Sequence, residues 1–174
     1  MRFKKENFIS KKEHLLVLKV IQAFPNLPNP ITEAEINNFL ESKLNIQLSV
    51  IDEDGYPSIH PLWFLYDRDS GKIYTATQKT TKKARHLYKN PNKIYFSIDD
   101  ENFPYKGVKG RAKAKISEDI DFNIPIVEKI NLKYLGTTEH PLANMIMENT
   151  RKGIQIVIEV IPKYFSAWDF GKAM

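Results

Sequence analysis

The stretch YTATQKTTKKARHLYKNP, Tyr74 to Pro91, changes character midway. Its opening YTAT alternates as a strand does, whereas Lys82 to Tyr88 has the spacing of a short amphipathic helix, stopped by Asn90-Pro91. A helix start carries partial positive charge, so each lysine in a first turn costs about 0.3–1 kcal/mol unless something offsets it. Lys82 and Lys83 occupy that turn, with Arg85 just behind. Thr80 or Thr81 can cap the helix and leave backbone N–H groups facing outward, and Thr77 adds another hydroxyl. Such an end is a seat for a phosphate, and a bound dianion would reverse the penalty on the two lysines. The plainer alternative is a solvated basic face on a surface helix.

The charge distribution points the same way. The chain's net charge is +5, but residues 72–115 hold 12 Lys/Arg against 3 Asp/Glu, and the remainder is net acidic. An anionic partner is therefore expected near this segment. With 174 residues, 42% hydrophobic and 27% charged, the composition is that of one globular domain with a proper core. The absence of cysteine excludes disulfides, thiol catalysis and thiolate zinc sites, and suits a reducing compartment. The apolar run HLLVLKVIQAF (14–24) is broken by Lys19 and lacks a small-residue cleavage site. It is read as neither signal peptide nor membrane span, which gives a cytoplasmic protein without membrane partners.

Outward from the opening stretch, residues 11–24 pattern as a helix and PNLPNP (25–30) as an extended linker. Thr32 and Glu35 form a capping box that opens a second helix to about Lys43. Strand patterns follow in NIQLSVI, YPSIHPLWFLY, KIYTAT and KIYFSID, then in KGVKGRAKAKIS and GIQIVIEVIP. In the fifth, Val108, Gly110, Ala112, Ala114 and Ile116 face one way and Lys109, Arg111, Lys113 and Lys115 the other. Residues 119–136, interrupted at Pro125, and residues 140–152 look helical. The pattern predicts a mainly β fold: a small antiparallel barrel of six or seven strands with peripheral helices. The expected organisation is an N-terminal helical extension and Pro-rich linker over 1–31 and a barrel domain over 32–174.

The basic strand face could track a nucleic-acid backbone, yet no helix-turn-helix, zinc knuckle or aromatic-plus-basic strand motif accompanies it. Nucleic acid is not the expected partner. His14, His86 and His140 have no metal-ligand spacing, with His86 at most an edge contact, and no catalytic triad or paired carboxylates stand out. Trp63 and Phe64 read as core, while Phe103 and Tyr105 are weaker candidates for a substrate pocket.

In this order and spacing, DGYP, PLWF, the strand ending in Thr77, the KKAR helix start, NP, the KGRA strand and Trp168 resemble the pyridoxamine 5′-phosphate oxidase-related, FMN-binding split-barrel family over roughly residues 32–171. The resemblance implies a flavin, FMN or alternatively a deazaflavin, in a cleft of an obligate homodimer. By position it implies that His60, Pro61, Leu62 and Trp63 run along the flavin ring, largely through backbone groups, and that Ala76 and Thr77 lie beside the cofactor. Thr81, Lys82 and Lys83 would hold its phosphate, and Trp168 would reach the ring from the partner subunit. Two departures are visible. His60 stands where the family's oxidases carry an arginine, and an imidazole's charge depends on pH. Only DFGKAM follows Trp168, without the Arg- and His-bearing tail that grips vitamin B6, so that substrate is not expected. The function implied is an FMN-dependent oxidoreductase or flavin reductase exchanging hydride with a small planar molecule, with no catalytic side chain or metal assigned. The other readings are a deazaflavin-dependent reductase, a non-catalytic flavin or haem binder on the same barrel, and a basic nucleic-acid-binding barrel.

Overall fold

The structure, a computed structural model, describes residues 19–24, 26 and 29–172. Strands β1 (Val20–Gln22), β2 (Ile46–Ile51), β3 (Pro57–Leu62), β4 (Phe64–Asp67), β5 (Lys72–Gln78), β6 (Ile94–Asp100), β7 (Lys106–Ser117), β8 (Gln155–Pro162) and β9 (Phe165–Asp169) form one sheet. The helices are α1 (Glu33–Leu40), α2 (Lys82–Lys89), α3 (Ile120–Leu135) and α4 (Pro141–Arg151). Seven strands lie on a continuous path, β3-β2-β6-β7-β8-β5-β4, with every neighbouring pair antiparallel. This is the expected split barrel. The two edge strands of the path, β3 and β4, are consecutive in sequence and joined at Trp63, so the sheet wraps round but stays open there.

The alternation in β7 carries the barrel. Val108, Gly110, Ala112 and Ala114 are buried while Lys109, Arg111, Lys113 and Lys115 are exposed. Inside, they meet Leu48, Phe64, Ile73, Phe96, Ile98, Ile158, Val160 and Phe165, with Ile36 and Leu40 of α1 closing the core. A second, smaller core lies where Tyr74 of β5 and Val157 of β8 meet Val127 of α3 and Met147 of α4. The α3–α4 hairpin thus covers part of the barrel's outer face, and that layer positions the site described below.

Four local expectations need correction. The helix predicted over 11–24 falls largely outside the described residues, and where it is described, Val20–Gln22 is a strand paired in parallel with β9. Gln22 accounts for the difference: its side chain donates to the Ile31 carbonyl at 2.9 Å and accepts from the Ile31 N–H at 3.0 Å, tying the segment to the barrel. The run YPSIHPLWFLY is two strands, because the chain changes partner at Trp63: β3 pairs with β2 and β4 with β5, and the Phe64 N–H donates to the Tyr134 hydroxyl at 3.1 Å. The second helix ends at Leu40 rather than near Lys43. Pro125 does not interrupt α3, which runs unbroken for 16 residues. The bond that its missing N–H forgoes would have gone to the carbonyl of Asp121, an exposed residue.

Lys133 on α3 ties the hairpin to α1. Its ammonium lies 3.7 Å from the Phe64 ring centroid and 3.4 Å from the Leu40 carbonyl oxygen. Burial pulls its pKa down to about 8, with Glu41 drawing it back up. The aromatic face and the carbonyl return part of that cost. The folded pKa is below the unfolded one, so the unfolded chain holds more protons between pH 8 and 10.5, and the penalty on folding is complete below pH 8. After discounting for solvent screening, Lys133→Met should raise stability at pH 7 by on the order of 1 kcal/mol. The difference in Tm between variant and wild type should narrow from pH 8 to 10.5, and a pH-independent difference would contradict the assignment.

Candidate functional site

Thr81 caps α2, accepting from the Ala84 N–H at 3.4 Å and donating to the Gln78 carbonyl at 2.9 Å. That geometry turns the chain so that the end of β5 and the start of α2 meet. Thr77 and Thr81 place their hydroxyl oxygens 3.4 Å apart, and Lys83 donates to Thr77 Oγ1 at 3.2 Å. Lys83 is half-buried, burial lowers its pKa, and among the described residues it has no carboxylate in ion-pair range. A desolvated cation beside two hydroxyls and a capped helix start is a setting an anion would complete.

His60 stands on β3, across the gap from α2. Its Nε2 is 3.1 Å from Ser58 Oγ, and a cleft of about 270 Å³ places it with Lys82, Arg85 and His86 on one side and Asp52 and Asp54 on the other. Burial, and then the charges of Lys83 and His86, push the His60 pKa below its ordinary value. Near neutral pH this imidazole therefore acts as a neutral hydrogen-bonding group. His86 is buried, with Nδ1 unpartnered among the described residues. His140 caps α4 through Nδ1, accepting from the Leu142 N–H at 3.1 Å, and His14 lies outside the described residues.

The residues that follow His60 line a second space. Pro61, Leu62, Trp63, Ala76 and, on the neighbouring strand β8, Gln155 line the sheet side of a cavity of about 260 Å³, with Val127, Ile130 and Asn131 of α3 and Ile146 of α4 on the helical side. It sits at the opening between β3 and β4, roofed by the helical hairpin. Trp63 is held flat against Tyr134, with ring centroids 4.8 Å apart and planes 6° apart. Tyr134 in turn donates to the Leu44 carbonyl. Trp63 is thus a partly exposed wall, while Phe64 is core.

Asn131 is the site residue that the sequence reading missed. It is 1% exposed, its Oδ1 has no partner among the described residues, and its Nδ2 reaches the Ala143 carbonyl only at 3.5 Å. A buried acceptor left unpaired costs about 1–3 kcal/mol. No motif marks it, although an asparagine on the inward stripe Asn123, Val127, Ile130, Asn131, Tyr134 was a departure from an apolar pattern.

The structure therefore joins nine of the ten expected residues into two adjoining spaces. One is a cationic corner of Thr77, Thr81, Lys82 and Lys83 with His60 nearby. The other is a flat apolar cavity of Pro61, Leu62, Trp63 and Ala76. The two share β3 and β5. A flavin's parts fit this pair: an anion for the corner, a planar ring for the slot, and ring N–H groups for a buried acceptor that lacks a donor. Trp168 is elsewhere. It lies opposite Gly107 on β7, whereas Ala76 is level with Val157 and Ser117 at the other end of the same strand. Gly107 to Ser117 is about 33 Å of strand. Gly107 is required there, since a Cβ would come within 2.4 Å of the indole. Tyr105 tilts against Trp168 at 5.8 Å, and Phe103, 79% exposed, projects to solvent. No helix among the described residues is long and apolar enough to cross a membrane.

Comparison with known proteins bears on this arrangement. The family model described as pyridoxamine 5′-phosphate oxidase matches residues 32–164. No curated protein matches the chain. Among solved structures, a conserved hypothetical protein of Mycobacterium tuberculosis aligns at 21% identity and a TM-score of 0.70, covering 82% of this chain and 88% of its own. A structure described as an F420 reductase aligns at 25% identity and a TM-score of 0.60, covering 78% of this chain and 98% of its own. The haem storage protein HutZ of Vibrio cholerae aligns at 15% identity and a TM-score of 0.60, covering 79% and 93%. With the match spanning 32–164 and the split barrel shared throughout, this chain belongs to the pyridoxamine 5′-phosphate oxidase family.

Proposed function

We propose that this chain is an FMN-dependent oxidoreductase that works as a cytoplasmic homodimer on a small planar substrate. One observation carries the reading: an uncompensated, half-buried Lys83 at the Thr77–Thr81 corner adjoins a slot walled by Pro61, Leu62, Trp63 and Ala76. Lys82, Lys83, Thr77 and Thr81 would hold the phosphate, and the β3 segment with Ala76 would hold the ring. When bound, the flavin supplies the hydride chemistry, and the protein's part is to orient the ring and exclude water from one face. His60, neutral near pH 7, offers a hydrogen bond rather than a charge to the polar chain between ring and phosphate. Within one chain, Trp168 is ten residues of β7 from the row that holds Ala76, so the dimer reading has a second copy's indole closing the ring's open side. The family match over 32–164 supports a flavin-type cofactor.

A deazaflavin is the second reading, favoured by the likeness to an F420 reductase at 25% identity. Its phosphate and planar ring would call on the same residues. The test is an absorbance spectrum of the purified protein, with extraction and identification of whatever is bound, followed by thermal unfolding with each cofactor added. FMN at a hundred times its Kd should raise stability by about 2.7 kcal/mol. Colourless protein whose Tm moves with neither FMN nor deazaflavin overturns both readings. A Soret band would assign haem, and bound flavin with no reductant-driven turnover would make the chain a carrier.

A further inference from the structure

Within the flavin reading, we propose that Asn131 is the polar anchor for the ring: its carboxamide oxygen accepts a hydrogen bond from a ring N–H, and this selects rings that carry one. The wall around it is otherwise apolar except for Gln155, so a ligand's polar edge has few places to be satisfied. Asn131 is buried on the inward stripe of α3; among the described residues its oxygen is unpartnered and its nitrogen is held only by the 3.5 Å contact to Ala143. That contact is at the limit of a hydrogen bond, and the terminal torsion of an asparagine is soft. The amide can therefore turn its oxygen toward the cavity when a donor enters. Asn123, on the same stripe, provides a contrast. Its oxygen is likewise buried without a partner among the described residues, but its nitrogen is held firmly by the Ser117 carbonyl at 3.0 Å and it is not among the residues around the cavity, so no ligand can reach it there.

The chemistry narrows the ligand. Oxidised flavins and deazaflavins both present an imide N–H at one edge of a planar ring. A metallated porphyrin has no ring N–H, because its nitrogens hold the metal. Asn131 would thus favour a flavin-type ring over haem in a barrel that could be shaped for either. The site differs in kind from the Lys82–Lys83 corner: one end reads a ring edge and the other reads charge.

The experiment compares riboflavin and FMN on wild type, Asn131→Leu and the Lys82→Met/Lys83→Met double variant, by fluorescence quenching and thermal unfolding of the ligand-free proteins. Asn131→Leu should weaken riboflavin and FMN equally, by about tenfold, while the ligand-free protein unfolds at the same or a higher temperature. The lysine variant should weaken FMN alone. If Asn131→Leu binds both ligands as wild type does, the inference fails and the flavin reading survives. If wild type binds neither, the flavin reading fails and takes the inference with it. A lowered Tm in ligand-free Asn131→Leu would mean that the amide serves only to tie α3 to α4. Wild type with riboflavin methylated at its imide nitrogen gives a check independent of that variant's folding: about tenfold weaker binding is expected, and equal binding overturns the proposal.

Discussion

Replacing Lys82 and Lys83 together by methionine should weaken FMN binding a hundred- to a thousandfold and leave riboflavin binding almost unchanged. Each lysine would give the phosphate a charge-assisted hydrogen bond worth about 1.5–3 kcal/mol, and about 1.4 kcal/mol is a factor of ten in Kd. The two are not equal. Lys82 is exposed and screened, whereas Lys83 is half-buried against Thr77, so Lys83→Met alone should account for most of the loss. The ligand-free protein should respond in the opposite sense. Two cations leave a helix start that disfavours them, by about 0.3–1 kcal/mol each, and Lys83 no longer bears its desolvation. A variant that unfolds at the same or a higher temperature yet binds FMN poorly is the signature of charges kept for a ligand rather than for folding. Titration by flavin fluorescence at two salt concentrations, with Tm of the ligand-free proteins, makes the comparison. Unchanged FMN affinity would remove the main support for the cationic corner as a phosphate seat.

That corner was legible in the sequence because its signals are local. A threonine cap, two lysines in a first turn and an Asn-Pro stop all act within a few residues, and the structure shows Thr81 capping α2. The Thr32–Glu35 capping box was legible for the same reason: Glu35 Oε2 accepts from the Thr32 N–H at 2.8 Å and the Glu35 N–H donates back to Thr32 Oγ1 at 3.3 Å. So was the two-residue period of β7. What escaped depends on distant residues. The break at Trp63 falls where the chain passes from pairing with β2 to pairing with β5, and Tyr134, 70 positions away, takes up the Phe64 N–H there. Strand β1 forms because Gln22 finds the backbone of Ile31 and because Phe165–Ala167 lies alongside. A short apolar run such as Val20–Gln22 fits helix and strand equally, and the tertiary partner decides. Asn131 was invisible for a related reason. What sets it apart is a buried oxygen with no partner among the described residues beside a cavity, and that is known only once α3 is seated over Ala76 and Trp63.

Methionine at both Lys72 and Lys115 should cost the fold about 3–5 kcal/mol at pH 7, the usual cost of leaving a buried charge without its partners. The charge is Glu159 on β8, whose side chain is 3% exposed, with Lys72 Nζ at 2.9 Å from one carboxylate oxygen and Lys115 Nζ at 3.2 Å from the other. Burial alone would raise the pKa of this carboxyl. The hydrogen bonds and charges of the two lysines outweigh burial and hold it below the ordinary value of 4.5. Removing Glu159 instead should cost less, because Lys72 and Lys115 are 33% and 71% exposed and water can solvate them. The pH dependence then changes sign between the two proteins. In wild type the folded pKa is depressed, so this contribution is full above pH 4.5 and is lost as pH falls through the folded value. In the double variant burial acts unopposed and the folded pKa rises above 4.5, so stability should increase as pH is lowered toward 4.5. Urea denaturation of both proteins from pH 3.5 to 8 reads this directly. Adding Glu159→Gln to the double variant should restore most of the loss at pH 7 and abolish its gain on acidification. Parallel pH profiles for wild type and double variant would show that Glu159 is not held ionised by these two lysines.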